Sequence, residues 1–519
     1  MLIAGARPRC GVAISFLTAT LILCASSIGQ GSLDQRIRTA LEKAQLGKAA
    51  VGICVVDVAS GRELVSLSTT SQAQPALIPA SNLKLLTTGA ALITVGPEFE
   101  FRTQFVVVGD QLVIEGAGDP ALADPALLGR MHTSIDQFLD RLSDSISSAA
   151  SGPITQIVID DRIFDRESVH TLWPIDQLNR AYCAPVSGLN FHANILNVFP
   201  QPGGRAGDQP SVRTEPSASW LEFDRQRART VREGTTQVWI EHGSNPFRFG
   251  LHGSVRNAPT EPVSVTVKDP GAIFSRLLAD RLATRLKCPV PSVRLAAADD
   301  PVASSRAGAL IAAIVRTPVS VVLERCNVDS DNLYAECLLK LTGHQVTHQP
   351  GSWANGAAVV RMVVKDRIGA GHAASLTMSD GSGLSRANRV TPQMLAHWLA
   401  NVSADDRVGE MYVRSLAVAK EEGTVRNRFK GKKLKNEVRA KSGYIREVRS
   451  LSGLVSVVSD ADSLVPDREP PRRLAFSILV NNIPAGADTR AKELHENIVE
   501  VLDNYLSEQT RATAAAGVR

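Results

Sequence analysis

The ten histidines form no HExxH or comparable cluster, which leaves out a metal hydrolase built on paired imidazoles. No GxxxxGKS/T loop occurs, so nothing supports nucleotide use. Beyond the first two dozen residues no apolar run is long enough to cross a bilayer, and no internal repeat is visible. Charge of one sign is also scarce. The formal excess is +5 over 519 residues and includes Arg7 and Arg9 of the N-terminal segment; so small a bias argues against nucleic acid as a partner. A basic cluster between Arg426 and Lys441 reads as a solvated face or loop, with attraction to an acidic polymer as the alternative. Cysteine is sparse: besides Cys10 and Cys24 near the start there are Cys54, Cys183, Cys288, Cys326 and Cys337, widely spaced and without a metal-finger pattern. An odd set of five allows at most two disulfides, and a buried small hydrophobe is the default for each.

What is present describes a globular chain. Hydrophobic residues make up 44% and charged residues 21%, and the length exceeds one ordinary core, so two or three domains are expected. Arg7 and Arg9, an apolar run from Cys10 to Cys24 and small residues from Ala25 to Gly31 have the form of a secretory signal over residues 1–31. An uncleaved anchor is the alternative. Leu23 before Cys24 argues against lipidation, which wants a small residue there.

From Ala49 to Val58 the run AAVGICVVDV, the turn ASGRE and the run LVSLS read as a strand hairpin. A helix is expected after Pro79, ending at Gly96-Pro97. Between Glu98 and Ala298 short β-like runs separated by Gly, Pro and Asp suggest a mostly β insertion at 99–298, with room for a nested smaller unit and a helix from Gly271 to Leu286 leading out. Helical periodicity returns at Leu333 to Leu341 and Pro392 to Val402. Strand runs EVRAKSGYI, SLSGLVSVV and RLAFSILVNN and an amphipathic helix from Thr489 to Leu506 follow. The first hairpin and the last strands are complementary in character, so the two ends are expected to share one sheet. Residues 33–98 and 299–510 would then form one discontinuous catalytic domain, and 511–519 a flexible tail.

Three short motifs carry chemistry. Ser81-Asn82-Leu83-Lys84 sets a serine one helical turn from a lysine; an unprotonated Lys84 can take the proton that a serine hydroxyl must lose before it attacks an amide. The helix N-terminus favours an oxyanion and disfavours a protonated Lys84. Ser330-Asp331-Asn332 precedes the helical LYAECLLKL, and Lys441-Ser442-Gly443 lies in the strand-like EVRAKSGYI. Alone, each has a blander reading: a capping serine with a surface lysine, a helix cap, an exposed basic strand. Together, in the order SxxK, SxN, KSG, they make the serine penicillin-recognising set. Free lysine titrates near 10.4, so a base at neutral pH needs about three units of depression; burial and the second cation Lys441 push that way.

With these motifs the chain resembles the class C low-molecular-mass penicillin-binding proteins, which are D-alanyl-D-alanine carboxypeptidases and endopeptidases. GAGDPAL at Gly116 to Leu122, Asp160-Asp161, LWPIDQL, AYCAPVSGLNFHAN and DGSGLSRANRVTP at Asp380 to Pro392 also match. The resemblance implies an α+β fold: a penicillin-binding, serine β-lactamase-like transpeptidase domain with an antiparallel sheet flanked by helices, carrying the insertion. It implies Ser81 as nucleophile, Lys84 as its base, Ser330 as proton relay to the leaving amine and Asn332 as the group that holds Lys84 and the substrate backbone. Lys441 would polarise Ser330 and draw the terminal carboxylate, Ser442 would donate to that carboxylate, the N–H groups of Ser81 and Tyr444 would form the oxyanion hole, and Gly443 between Ser442 and Tyr444 would belong to the same substrate-binding strand. Ser442 stands where the family usually has threonine, and Tyr444 where a small residue is common. Asp176, Tyr182 and Arg386 stand where the family recognises the diamino acid of the stem peptide.

The implied activity is D,D-carboxypeptidase, with D,D-endopeptidase as a second capacity, on peptidoglycan stem peptides in the periplasm or cell envelope. β-Lactams would acylate Ser81. No cofactor or metal is required, and peripheral association with membrane or wall and a homodimer stay open. A β-lactamase is the rival of the same chemistry, but no glutamate motif for fast deacylation is evident and the insertion argues against it. A catalytically idle wall-binding scaffold is the rival of another class.

Overall fold

A computed structural model of the protein describes residues 32–457 and 472–517. The signal expected at 1–31, with Cys10 and Cys24, lies outside the described residues. No helix among those described is long and apolar enough to cross a membrane.

The main sheet has six antiparallel strands in the order Ala417–Val418, Glu437–Ile445, Val448–Ser456, Arg473–Asn481, Ala50–Asp57, Glu63–Ser68. Ala50–Asp57 is buried on both faces because helices cover both, and its residues sort by parity. Val51, Ile53 and Val55 pack with Leu33 and Ile37 of the Leu33–Ala44 helix and with Ile498 and Leu502 of the Asp488–Gly517 helix. Cys54 and Val56 point the other way, into a core made with the helices Lys84–Val95, Asn332–Thr347 and Pro392–Ser403. Gly52 is required there, since a Cβ would stand 2.6 Å from Cγ of Pro392. The sharing of one sheet by the two ends holds as expected: Val51 pairs with Val480. The last helix runs past the expected end at Leu506 to Gly517, so most of the 511–519 stretch read as a tail is helical. Its Ala-rich sequence is a good helix former, which polarity alone concealed.

The inserted region builds a five-stranded sheet in the order Ser292–Leu295, Gln156–Asp160, Gln111–Glu115, Glu100–Val108, Leu310–Pro318. Its last strand comes from beyond residue 298 and pairs antiparallel with Glu100–Val108, so the insertion's sheet closes only at Pro318. The region also holds two three-stranded sheets, one of them formed by Glu222–Thr230, Gln237–His242 and Arg248–Val255, whose Ile240, Phe249 and Leu251 share a core with Phe105 and Ile157 of the five-stranded sheet. Besides the expected exit helix, here Pro270–Leu286, the region holds a helix at Ile135–Ala149. A reciprocal Ser134/Gln137 cap starts the latter, and Ile135, Leu139, Leu142 and Ile146 give it one apolar face. All five described cysteines are free thiols, four of them buried, in keeping with the small-hydrophobe default.

Candidate active site

Ser81 lies in a 3₁₀ turn, Ala80–Leu83, that leads directly into the α-helix Lys84–Val95. Residues three apart eclipse one another in a 3₁₀ turn, so the Lys84 side chain stands over the serine: Lys84 Nζ lies 3.2 Å from Ser81 Oγ. The helix that follows is buried along most of its length, with Leu85, Leu86, Ala90, Ala91 and Leu92 in the core, which anchors the turn rigidly.

Three other segments close on this turn. Asn332, first residue of the Asn332–Thr347 helix capped by Asp331, accepts from Lys84 Nζ at its Oδ1, 2.7 Å away. Its amide donates to the Tyr182 carbonyl at 2.8 Å, joining the inserted region to the site. The Asp380–Pro392 segment brings the Ser382 carbonyl to 2.9 Å from Lys84 Nζ. The strand Glu437–Ile445 passes so close that a Cβ at Gly443 would stand 2.9 Å from the amide nitrogen of Ser81. At Gly383, where φ is +85°, a Cβ would run into the Ala80 carbonyl. Ala80 itself has φ +46°, a conformation a non-glycine residue holds only under constraint. Backbone packing on three sides supplies it.

The electrostatics of Lys84 follow from its partners. Asn332 Oδ1 and the Ser382 carbonyl are acceptors only, so they take two N–H bonds and the third position of nitrogen faces the serine hydroxyl. Complete burial holds the amine below the ordinary lysine range, against the opposing pull of Cys326, Glu336, Asp331 and Asp380. Lys441 is also fully buried and is held well below that range, first by burial and then by Lys84. Its Nζ donates to the carbonyl of the adjacent Ser442 at 3.0 Å.

Of the sequence candidates, Ser81, Lys84 and Asn332 thus form one hydrogen-bonded chain. Ser330, with φ +63°, leaves its hydroxyl without a hydrogen bond among the described residues. Ser442 Oγ donates to Thr424 Oγ1 at 2.8 Å, and the exposed Tyr444 ring lies against the Arg449 guanidinium at 3.8 Å. Asp176 sits exposed on the short Ile175–Gln177 turn, and Tyr182 donates from its hydroxyl to Gln177 Oε1 at 2.7 Å. Arg386 donates to the Arg446 carbonyl at 2.7 Å and makes no hydrogen bond to Asp176 or Tyr182.

Sequence reasoning missed two buried carboxylates. Glu336 accepts from the amide nitrogens of Gly381 and Ser382 and from Trp353 Nε1, each at 2.8 Å. Asp380 accepts from the amides of Gly383 and Ser385 at 2.9 and 2.6 Å, from Asn388 Nδ2 at 2.8 Å and from Trp173 Nε1 at 3.0 Å. The signal for Glu336 was in the spacing: Asn332, Glu336 and Lys340 form a polar stripe at i, i+4, i+8 on a helix otherwise apolar around most of its circumference. No group of His, Cys, Asp and Glu among the described residues is arranged to hold a metal ion.

A serine under a buried lysine, at the edge of an antiparallel sheet flanked by helices, defines a serine hydrolase of the penicillin-binding fold. The chain belongs to the D-Ala-D-Ala carboxypeptidase 3 (S13) family, whose pattern matches residues 33–505. It is 29% identical over 506 residues to a D-alanyl-D-alanine carboxypeptidase of an Actinomadura species, covering 92% of this chain and 86% of the relative. It is 22% identical to a penicillin-sensitive carboxypeptidase A of Dictyostelium discoideum, with 83% of each chain covered. The fold is similar to that of penicillin binding protein 4 from Haemophilus influenzae, with a TM-score of 0.69 at 18% identity, covering 91% of this chain and 99% of the other.

Proposed function

We propose that Ser81 is the nucleophile of a serine D,D-peptidase and Lys84 its general base, acting on the D-Ala-D-Ala end of peptidoglycan stem peptides. The observation that carries this reading is the single amine of Lys84 shared between Ser81 Oγ at 3.2 Å and Asn332 Oδ1 at 2.7 Å. Lys84 takes the hydroxyl proton as Oγ bonds to the penultimate D-Ala carbonyl carbon. The N–H groups of Ser81 and Tyr444 receive the oxyanion. As the C–N bond breaks, Ser330 hands its proton to the leaving amine and takes in exchange the proton held by Lys84, which is neutral again, while Lys441 polarises Ser330. Water then attacks the ester, its proton passing to Lys84 and from there to Ser81 Oγ as the acyl C–O bond breaks, which frees the serine and the base together.

Lys441 and Ser442 draw the substrate's terminal carboxylate, and Asn332 holds its backbone. Asp176, Tyr182 and Arg386 read the diamino acid side chain. The exposed Asp176 carboxylate supports attraction of a free amino group, and Arg386 has to leave the Arg446 carbonyl to join it. β-Lactams acylate Ser81 in the same way as substrate; a further solved structure of the Haemophilus influenzae protein, similar to this chain with a TM-score of 0.65, holds a β-lactam. The site of action is the periplasm or cell envelope, with the protein exported by its N-terminal segment.

The test is labelling with a fluorescent penicillin followed by digestion with defined muropeptides. The parent should be marked covalently and Ser81→Ala should not. An unmarked parent sinks the acyl-enzyme reading. Release of D-alanine from monomers identifies carboxypeptidase action, and conversion of cross-linked dimers to monomers identifies endopeptidase action.

A further inference from the structure

We propose that Glu336 is the positioning residue of the Lys84 amine, acting through the Ser382 carbonyl; the proposal rests on the reading of Lys84 as base. Glu336 lies one turn beyond Asn332 on the same helix face, so one element presents both a direct and an indirect partner of the amine. Its carboxylate accepts from the amides of Gly381 and Ser382 and from the Trp353 indole, each at 2.8 Å. All three are obligate donors. The pocket is therefore built around the ionised carboxylate, because a carboxyl proton would have no acceptor among them.

Fixing the two amides fixes the 380–381 and 381–382 peptide planes, up to the α-carbon from which the Ser382 carbonyl departs. Thr87 Oγ1 secures the Gly381 carbonyl at 2.7 Å, and the Gly383 N–H, in the same peptide as the Ser382 carbonyl, donates to Asp380 Oδ1 at 2.9 Å. The orientation left for the Ser382 carbonyl aims it at Lys84 Nζ, 2.9 Å away. This bond and the one to Asn332 occupy the amine's two N–H groups and leave its lone pair toward Ser81. Loss of the carboxylate frees the carbonyl, and a misplacement of about 1 Å near a reacting atom is enough to cost on the order of a hundredfold in rate.

Charge and geometry act in opposite senses. The negative charge of Glu336 favours protonated Lys84 and so works against the base, whereas its hydrogen bonds aim that base. Burial, then Asp380, pushes the Glu336 carboxyl itself up to about 7. The other groups that face the pair are Asp331 and Asp380, Cys326 and Lys441, with Lys340 a turn further on bound to Asp165. None of them donates to the 381–382 peptide.

The test is the rate of acylation by a fluorescent penicillin at saturation, followed from acid to alkaline pH, with the apparent dissociation constant measured alongside. E336Q sets an amide NH₂ against the Ser382 N–H in one orientation, or against the Gly381 N–H and the Trp353 indole in the other. Its plateau rate should fall about tenfold or more, its acid limb should move to lower pH by about half a unit, and its dissociation constant should stay within about threefold. W353F keeps the carboxylate and removes one donor. That raises the Glu336 pKa; because positioning needs the carboxylate ionised while Lys84 is neutral, the acid limb should move the opposite way, to higher pH. Removal of the charge moves the E336Q limb whatever the role, so W353F discriminates: a merely packing role leaves its limb where it stands in the parent. An unmoved W353F limb, or an E336Q plateau within about twofold of the parent, would overturn the proposal. Should E336Q not fold, the W353F shift decides alone. Failure of the parent to be labelled, or labelling of Ser81→Ala, strikes instead at the identity of the nucleophile.

Discussion

Asn82 Nδ2 donates to the Lys441 carbonyl at 2.7 Å, bridging the turn that carries Ser81 to the strand that carries the second buried lysine. Asn82 Oδ1 accepts in turn from Ser452 Oγ at 2.7 Å on the next strand, so one wholly buried amide sets the spacing between helix and sheet. Asn82→Ala takes a donor from the Lys441 carbonyl and leaves the Ser452 hydroxyl with Ser477 Oγ alone, at 2.9 Å, and a buried group left unpaired costs about 1–3 kcal/mol. We predict a lowered melting temperature together with slower penicillin acylation. Unchanged acylation in a destabilised variant would show that the bridge serves stability alone.

Lys441 predicts a pH effect. Its folded pKa is depressed by burial and by Lys84. As pH falls below the ordinary lysine value of about 10.4 the unfolded chain takes up a proton before the folded one does. Stability thus falls with pH in that window, by up to about 1.4 kcal/mol per unit for one group. Lys441→Met should be inactive yet at least as stable as the parent at neutral pH, with a flatter rise of melting temperature between neutral and alkaline solution. A slope equal to the parent's counts against a depressed Lys441 pKa.

Ser442 predicts a binding effect. Its hydroxyl is paired to Thr424 Oγ1, an arrangement that holds two hydroxyls together at the proposed carboxylate site. Ser442→Ala should raise KM for a D-Ala-D-Ala peptide about tenfold, as expected for a hydrogen bond to a charged group, with a smaller change in kcat. A variant altered in kcat alone would place the hydroxyl elsewhere in the reaction.

Gly383 predicts a steric effect. Alanine there meets the Ala80 carbonyl and has to hold φ +85°, strain on the order of 1–3 kcal/mol. Gly383→Ala should lose acylation more than Gly371→Ala, whose Cβ meets nothing within 4 Å. Comparable activity in the two variants would refute the close packing at the nucleophile's turn.

Legibility in the sequence followed locality. The hairpin at 50–68, the helix after Pro79 and the last three strands were readable because period-2 and period-3.6 patterns with turn residues at their ends are local signals. The helix Trp353–Ile368 passed unread although Ser352 and Asn355 cap it reciprocally, because its mix of small and basic residues shows no clean apolar stripe. Ser81, Lys84, Asn332 and Lys441 were legible through the order of three motifs. Glu336 and Asp380 were not, since a carboxylate in a helix or a Gly/Ser loop looks solvent-facing until the indoles of Trp353 and Trp173 and the loop amides are brought around it. Thr424 was hidden for the same reason: its neighbour Ser442 comes from another segment.

The pairing of Ala50–Asp57 with Arg473–Asn481 has a consequence for biogenesis. An early strand waits for a late one, and until it arrives its apolar flank stays open, an edge prone to wrong partners. A nascent polypeptide of this kind has to remain unfinished while the intervening region emerges, which suits a chain threaded through a narrow translocation pore before it folds.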